Sequence, residues 1–129
     1  MYATLEIPTT AREQLADVTA NVQEAIRKSG FKDGVITLYV PHTTCGITIN
    51  ENADPNVARD IIYGLSKLIP QKWDFRHVEG NSDAHLKSAL VGFSCQVPVS
   101  GGSLMLGTWQ AIYLAEFDGP RRRKLIVCS

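Results

Sequence analysis

Residues 41–60 read PHTTCGITINENADPNVARD, and the fold follows from how that stretch changes character. It begins as a strand. Cys45, Ile47 and Ile49 alternate with Thr44, Gly46, Thr48 and Asn50, so successive side chains point to opposite faces and one face is apolar. It turns a polar corner at Glu51 and Asn52. It then starts a helix at Asp54-Pro55, where a carboxylate acceptor at the cap precedes a proline at the first helical position. Val57, Ile61, Leu65 and Leu68 carry that helix forward as an apolar stripe, and Pro70 stops it. A strand running through a polar corner into a helix is one wall of a candidate site.

Outward from this stretch, residues 34–40 (GVITLYV) are apolar or β-branched throughout and predict a strand covered on both faces. Residues 2–7 predict a short strand ended by Pro8. Thr10 and Glu13 have capping-box spacing, and Leu15, Val18, Val22 and Ile26 recur at helical steps, which predicts a helix over 10–29 with Gly30 as its left-handed stop. The span 71–80 has no clear period and reads as a loop with a short strand at 75–78. Asn81 or Ser82 can cap a helix in NSDAHLKSALVG, with Leu86, Ala89 and Leu90 toward the core. Three strands close the chain: SCQVPV, a run from SLML into TWQAIYLAEF kinked at Gly107, and RKLIVCS after the Asp118-Gly119-Pro120 turn. Mixed strands and helices with tight hairpins at the end predict an α+β fold with a largely antiparallel sheet, in one domain.

Bulk composition sets limits. The chain has 129 residues, 44% hydrophobic and 20% charged, with a formal net charge of +0, which suits one globular domain and gives no general pull toward nucleic acid or anionic membrane. Three cysteines without CxxC spacing argue against a disulfide framework. The first residues, MYATLEIPTT, lack the basic and apolar regions of a signal peptide, and no apolar run reaches the ~20 residues of a membrane span. A soluble, cytoplasmic protein is expected.

The chemistry-bearing residues fall into three segments. His42, His77 and His85 each lie beside Asn, Asp or Glu near element ends. They admit three readings: a three-histidine zinc site with an open fourth position, general acid–base or phosphate-binding groups, or structural histidines. Glu51, Asp54 and Asp60 bracket the corner and suit Mg²⁺, although Asp54 has a sufficient role as a cap and Asp60 as a surface ion-pair partner. Gln110, Glu116 and Asp118 share one parity of the last long strand, as a pocket rim or as a polar network between subunits. Arg121, Arg122, Arg123 and Lys124 form a basic cluster in which the preceding turn holds Arg121 in a defined place. No basic stripe or aromatic stacking run points to nucleic acid. Cys45 beside His42 invites a thiol nucleophile, but its parity with Ile47 and Ile49 places it in the core.

Taken together, HTTCGITINENADPNVARD, HVEGNSDAHLKSALVG and GTWQAIYLAEFDGPRRR resemble the YjbQ family, also called UPF0047, over nearly the whole chain. Members carry the label secondary thiamine-phosphate synthase. The resemblance implies an antiparallel β-sandwich with two or three helices, a homotrimer, and a pocket built from His42, Glu51, Asn52, Asp54, Asp60, His77, Asn81, His85, Gln110, Glu116, Asp118 and Arg121. Cys45 departs from the family pattern, where alanine or another small residue is common. The implied reaction joins a hydroxymethylpyrimidine pyrophosphate to a thiazole phosphate and releases pyrophosphate. It would use a divalent cation, Mg²⁺ or Zn²⁺, with the histidines, Glu51 and Asn52 in catalysis and Asn81, Gln110, Glu116, Asp118 and Arg121 on the substrate. A metal-dependent hydrolase and a non-enzymatic module that holds a phosphorylated metabolite are the rival readings.

Overall fold

A computed structural model describes residues 1–129. Eight strands and three helices occur in the order β1 (Tyr2–Pro8), β2 (Gln14–Asp17), α1 (Thr19–Ser29), β3 (Gly34–Tyr39), β4 (Cys45–Glu51), α2 (Pro55–Leu68), α3 (Ser82–Val91), β5 (Ser94–Ser100), β6 (Ser103–Leu104), β7 (Gln110–Glu116) and β8 (Arg122–Cys128). The strands form a five-stranded sheet, β1-β8-β3-β5-β6, and a three-stranded sheet, β2-β7-β4. Every pairing is antiparallel. The expected sandwich is therefore present.

Strand alternation builds the core between the sheets. Ile36 and Leu38 of β3, Leu125 and Val127 of β8, and Val97 and Val99 of β5 face Cys45 and Ile47 of β4 and Ile112 and Leu114 of β7. Val22 and Ile26 of α1, with Val18 just before it, close one side. The outer face of the small sheet has its own cluster, in which Ala115 and Phe117 meet Ala84 of α3, with Ile62 and Leu65 of α2 packed against it. Helix α3 comes close to β4 because position 46 has no side chain: a Cβ there would lie 2.7 Å from the Gly92 carbonyl oxygen, and the Ile47 amide donates to that same oxygen at 3.0 Å.

Five expectations change. The predicted helix over 10–29 is helical only from Thr19; residues 14–17 pair with β7, Gln14 opposite Glu116 and Asp17 opposite Tyr113. Tertiary hydrogen bonding to β7 overrides local propensity there. Asp17 ends the strand by accepting from the Thr19 amide at 2.9 Å, and Glu13 reaches Lys87 instead of capping a helix. Strand β3 is not covered on both faces: Ile36 and Leu38 are buried, whereas Val35 and Tyr39 are about half exposed. No strand forms at 75–78, and the run after the Gly101-Gly102 turn is broken by a tight turn in which the Gln110 amide donates to Gly107 O at 3.0 Å.

The fifth change concerns α3. Leu86 and Leu90 are 41% and 59% exposed, while Asp83, Ala84, Lys87 and Ser88 are buried. Polar pairing sets this rotation. Lys87 Nζ donates to Asp83 at 2.9 Å and to Glu13 at 2.8 Å, and Arg12 binds Asp83 at 3.0 Å. Once buried, these charges need each other, so the helix turns that face inward and leaves its leucines outside. Asp54 caps α2 as expected, accepting from the Asn56 amide at 2.9 Å.

Candidate functional site

A cavity of ≈ 390 Å³ opens where three connections meet, and apart from Pro41 its lining side chains are polar or charged. Pro41, His42, Thr43 and Thr44 come from the link between β3 and β4. Glu79, Asn81 and His85 come from the start of α3. Asp118, Arg121 and Arg123 come from the β7–β8 turn and the strand after it. A second cavity of ≈ 260 Å³, lined by His77, Ser82, His85 and Leu86, adjoins it through His85. The His77 and His85 rings meet edge to face with centroids 5.4 Å apart, and His77 Nδ1 lies 2.8 Å from Ser82 Oγ.

Each arginine of the cavity is tied along one edge and free along the other. Arg121 donates from Nε to Asp118 O at 2.7 Å and from Nη2 to Asp118 Oδ2 at 3.0 Å. Asn81 Nδ2 donates to that same oxygen at 2.9 Å, which settles the orientation of its amide. Arg123 is 4% exposed. It donates from Nε to Glu116 Oε1 at 2.9 Å, from Nη2 to Glu116 Oε2, and from Nη2 to Thr44 Oγ1 at 2.9 Å. Nη1 of both residues makes no hydrogen bond within the chain; the Arg121 side chain is exposed, and Nη1 of Arg123 is not sealed from solvent. Two guanidinium groups therefore present free N–H donors to one polar cavity.

His42 is held as a neutral donor. The Lys124 amide donates to its Nε2 at 2.8 Å, so the neutral ring carries its proton on Nδ1. Burial pushes the His42 pKa below the ordinary histidine value, and the positive charges of Arg123, Lys124 and Arg121 push it the same way against Glu116. Glu116 is fully buried. Burial alone would raise its pKa, but hydrogen bonds from Arg123, Thr9 and the Asp118 amide, with the charge of Arg123, outweigh it and hold the carboxyl below the ordinary glutamate range. Burial pushes the Cys45 thiol up to about 12, which removes it as a nucleophile at neutral pH.

The structure thus gathers His42, Asn81, His85, Asp118 and Arg121 at one cavity and sets His77 beside it. Glu116, expected on the substrate, lies behind the cavity wall. Glu51, Asn52 and Gln110 lie at the far end of the same strands, for Cys45 pairs with Glu116 while Glu51 pairs with Gln110. Six residues of strand separate the two ends by about 20 Å. At that end Asn52 donates to Asp17 at 3.1 Å and Tyr113 donates to the Glu51 carbonyl at 3.1 Å. Asp54 serves α2 and Asp60 is exposed on it.

Neither expected metal set assembles within one chain. No three His, Cys, Asp or Glu side chains lie close enough together to hold an ion. His42 in particular has its Nε2 lone pair occupied by the Lys124 amide. Sequence reasoning missed Arg123, Glu79, Thr43 and Thr44. Arg123 had a readable signal, since it alternates with Leu125 and Val127 and so points inward.

Comparisons with known proteins agree with this architecture. Residues 3–129 match the family described as UPF0047 protein YjbQ-like. A UPF0047 protein of Methanocaldococcus jannaschii is 58% identical over 122 residues, covering 95% of this chain and 88% of the relative. The UPF0047 protein YugU of Bacillus subtilis is 48% identical over 124 residues, covering 95% and 94%. Among solved structures, an uncharacterised YjbQ/UPF0047 protein from Clostridium acetobutylicum superposes with TM-score 0.95 at 50% identity, covering 98% of both chains. A protein of unknown function from Sulfolobus solfataricus superposes with TM-score 0.93 at 32% identity, covering 98% of this chain and 94% of that one. With its motifs, its paired antiparallel sheets and these relatives all in agreement, the chain belongs to the YjbQ/UPF0047 family.

Proposed function

We propose that the cavity between the β3–β4 link, the start of α3 and the β7–β8 turn binds a small phosphorylated metabolite. The observation that carries this reading is the pair of clamped guanidiniums that line the cavity, each with Nη1 unbonded within the chain. A guanidinium fixed on one edge donates to phosphate oxygens from the other with little rotamer entropy left to lose. His42 adds a neutral N–H donor without adding charge.

The transfer reaction implied by the family resemblance is the enzymatic extension of this reading. It needs two phosphorylated reactants side by side, and the two adjoining cavities that share His85 suit that need. No step through a metal follows from the residues of one chain. Titration calorimetry with pyrophosphate tests the binding claim. Wild type should bind, and Arg121→Ala should weaken binding tenfold or more, the loss of a charge-assisted contact of about 1.5–3 kcal/mol. Unchanged affinity in that variant would refute the site. Incubation with both reactants, read as thiamine phosphate formed, separates an enzyme from a binding module.

The homotrimer stays with the resemblance as a proposal, supported by the exposed Leu86 and Leu90 on α3 beside the cavity. Sedimentation should give three times the chain mass of 14.2 kDa, and a monomer at micromolar concentration would exclude it.

A further inference from the structure

We infer that Glu116 is the positioning residue of this pocket, registering both arginines to one buried carboxylate; the inference rests on the phosphate reading above. Glu116 does not line the cavity and is fully buried behind it. Its Oε1 accepts from the Thr9 hydroxyl at 2.7 Å and from Arg123 Nε at 2.9 Å. Its Oε2 accepts from Arg123 Nε at 3.1 Å, from Arg123 Nη2, and from the Asp118 amide at 3.1 Å.

Three consequences for the pocket follow. Arg123 is gripped along its Nε–Nη2 edge, so Nη1 is its one unbonded nitrogen. Asp118, whose carbonyl and carboxylate hold the Arg121 side chain, is itself tied to Glu116 through its amide. Thr9 passes the same register to the Arg121 backbone, because its Oγ1 accepts from the Arg121 amide at 2.9 Å while its hydroxyl donates to Glu116. One carboxylate thus sets the side chain of one arginine and the backbone and clamp of the other.

A purely structural ion pair would have a different signature. It would lower stability on removal and leave the affinity of the remaining folded protein untouched. A positioning group moves affinity at constant folded fraction, and its effect couples to Arg123. Such groups are strongly non-additive with the residues they hold.

The test measures pyrophosphate affinity by calorimetry at a temperature where each variant is folded, with unfolding followed separately. Glu116→Gln should weaken binding at least tenfold, Arg123→Lys should do so as well, and the double variant should lose little beyond Arg123→Lys alone. Thr9→Val, which removes the hydroxyl that joins Glu116 to the Arg121 amide and leaves the Arg123 clamp and the Thr9 amide's bond to Arg121 O in place, provides a milder variant with an expected three- to tenfold loss if Glu116→Gln does not fold. Asp83→Asn, in the separate buried cluster of α3, should lower stability and keep wild-type affinity. If wild type binds and Arg123→Lys weakens it, but Glu116→Gln and Thr9→Val bind as wild type, the positioning role is wrong and the phosphate reading stands. If wild type does not bind pyrophosphate, both fall.

Discussion

Arg123→Met is expected to destabilise the fold by about 3–5 kcal/mol at pH 7, because it leaves the Glu116 carboxylate buried without its counter-ion. Methionine keeps most of the apolar stem and removes the charge and its hydrogen bonds, so packing contributes little to the loss. The pH dependence identifies the cause. In the wild type the Glu116 pKa is held below its ordinary 4.5, so its contribution is present above that value and is lost as pH falls through the folded pKa. In the variant only the hydrogen bonds from Thr9 and the Asp118 amide still oppose burial, and the pKa is expected to rise above the unfolded value. Stability is then retained in acid and lost as pH rises past about 4.5. Denaturant unfolding of both proteins should show a small gap near pH 4 that opens toward pH 7. A gap that does not change with pH would point to lost packing instead.

Gly119→Ala should be comparably severe, at about 3 kcal/mol, toward the upper end of the usual cost of overpacking. A Cβ at this position would overlap the Ala11 carbonyl oxygen and lie 2.8 Å from Glu116 Cγ and 2.9 Å from Thr9 Oγ1. The nearest obstacle is backbone, which cannot swing aside as a flexible side chain can. The other two belong to the group that holds the arginines. The substitution should therefore lower the unfolding midpoint and also weaken pyrophosphate binding by the protein that stays folded. Normal affinity in a destabilised Gly119→Ala protein would mean that the turn can shift without moving Arg121.

The sequence showed the faces of the strands well and their ends poorly. Alternation placed Cys45 and Ile47 in the core, and they are there. The same alternation put Gln110, Glu116 and Asp118 on one face without saying that the first lies a whole strand length from the others. The 41–60 stretch likewise spans both ends of β4. His42 meets the cavity, while Glu51 and Asn52 sit about 20 Å away. Helical spacing failed where buried charge decides the outcome. Leu86 and Leu90 mark an apolar stripe, but Asp83 and Lys87 turn α3 to reach Arg12 and Glu13, residues that no local pattern connects. The overrun at 10–29 has a similar origin, since only pairing with β7 separates Gln14–Asp17 from the helix behind it.

Of the candidate site, His42, Asn81, His85, Asp118 and Arg121 were legible because each stands at an element boundary in a polar motif. Arg123 was hidden inside a basic run that reads as solvated surface, and Glu116 was seen but misplaced. Both depend on the packing of one sheet on the other, which brings Arg123 of β8 onto Glu116 of β7 at the rim of an apolar core.

A crystal structure of the protein grown with saturating pyrophosphate tests the central claim most directly. The predicted result is anion density in the cavity, within hydrogen-bonding distance of Nη1 of both Arg121 and Arg123. Density only at the Glu51–Gln110 end of the strands, or an empty cavity at saturating ligand, would contradict it.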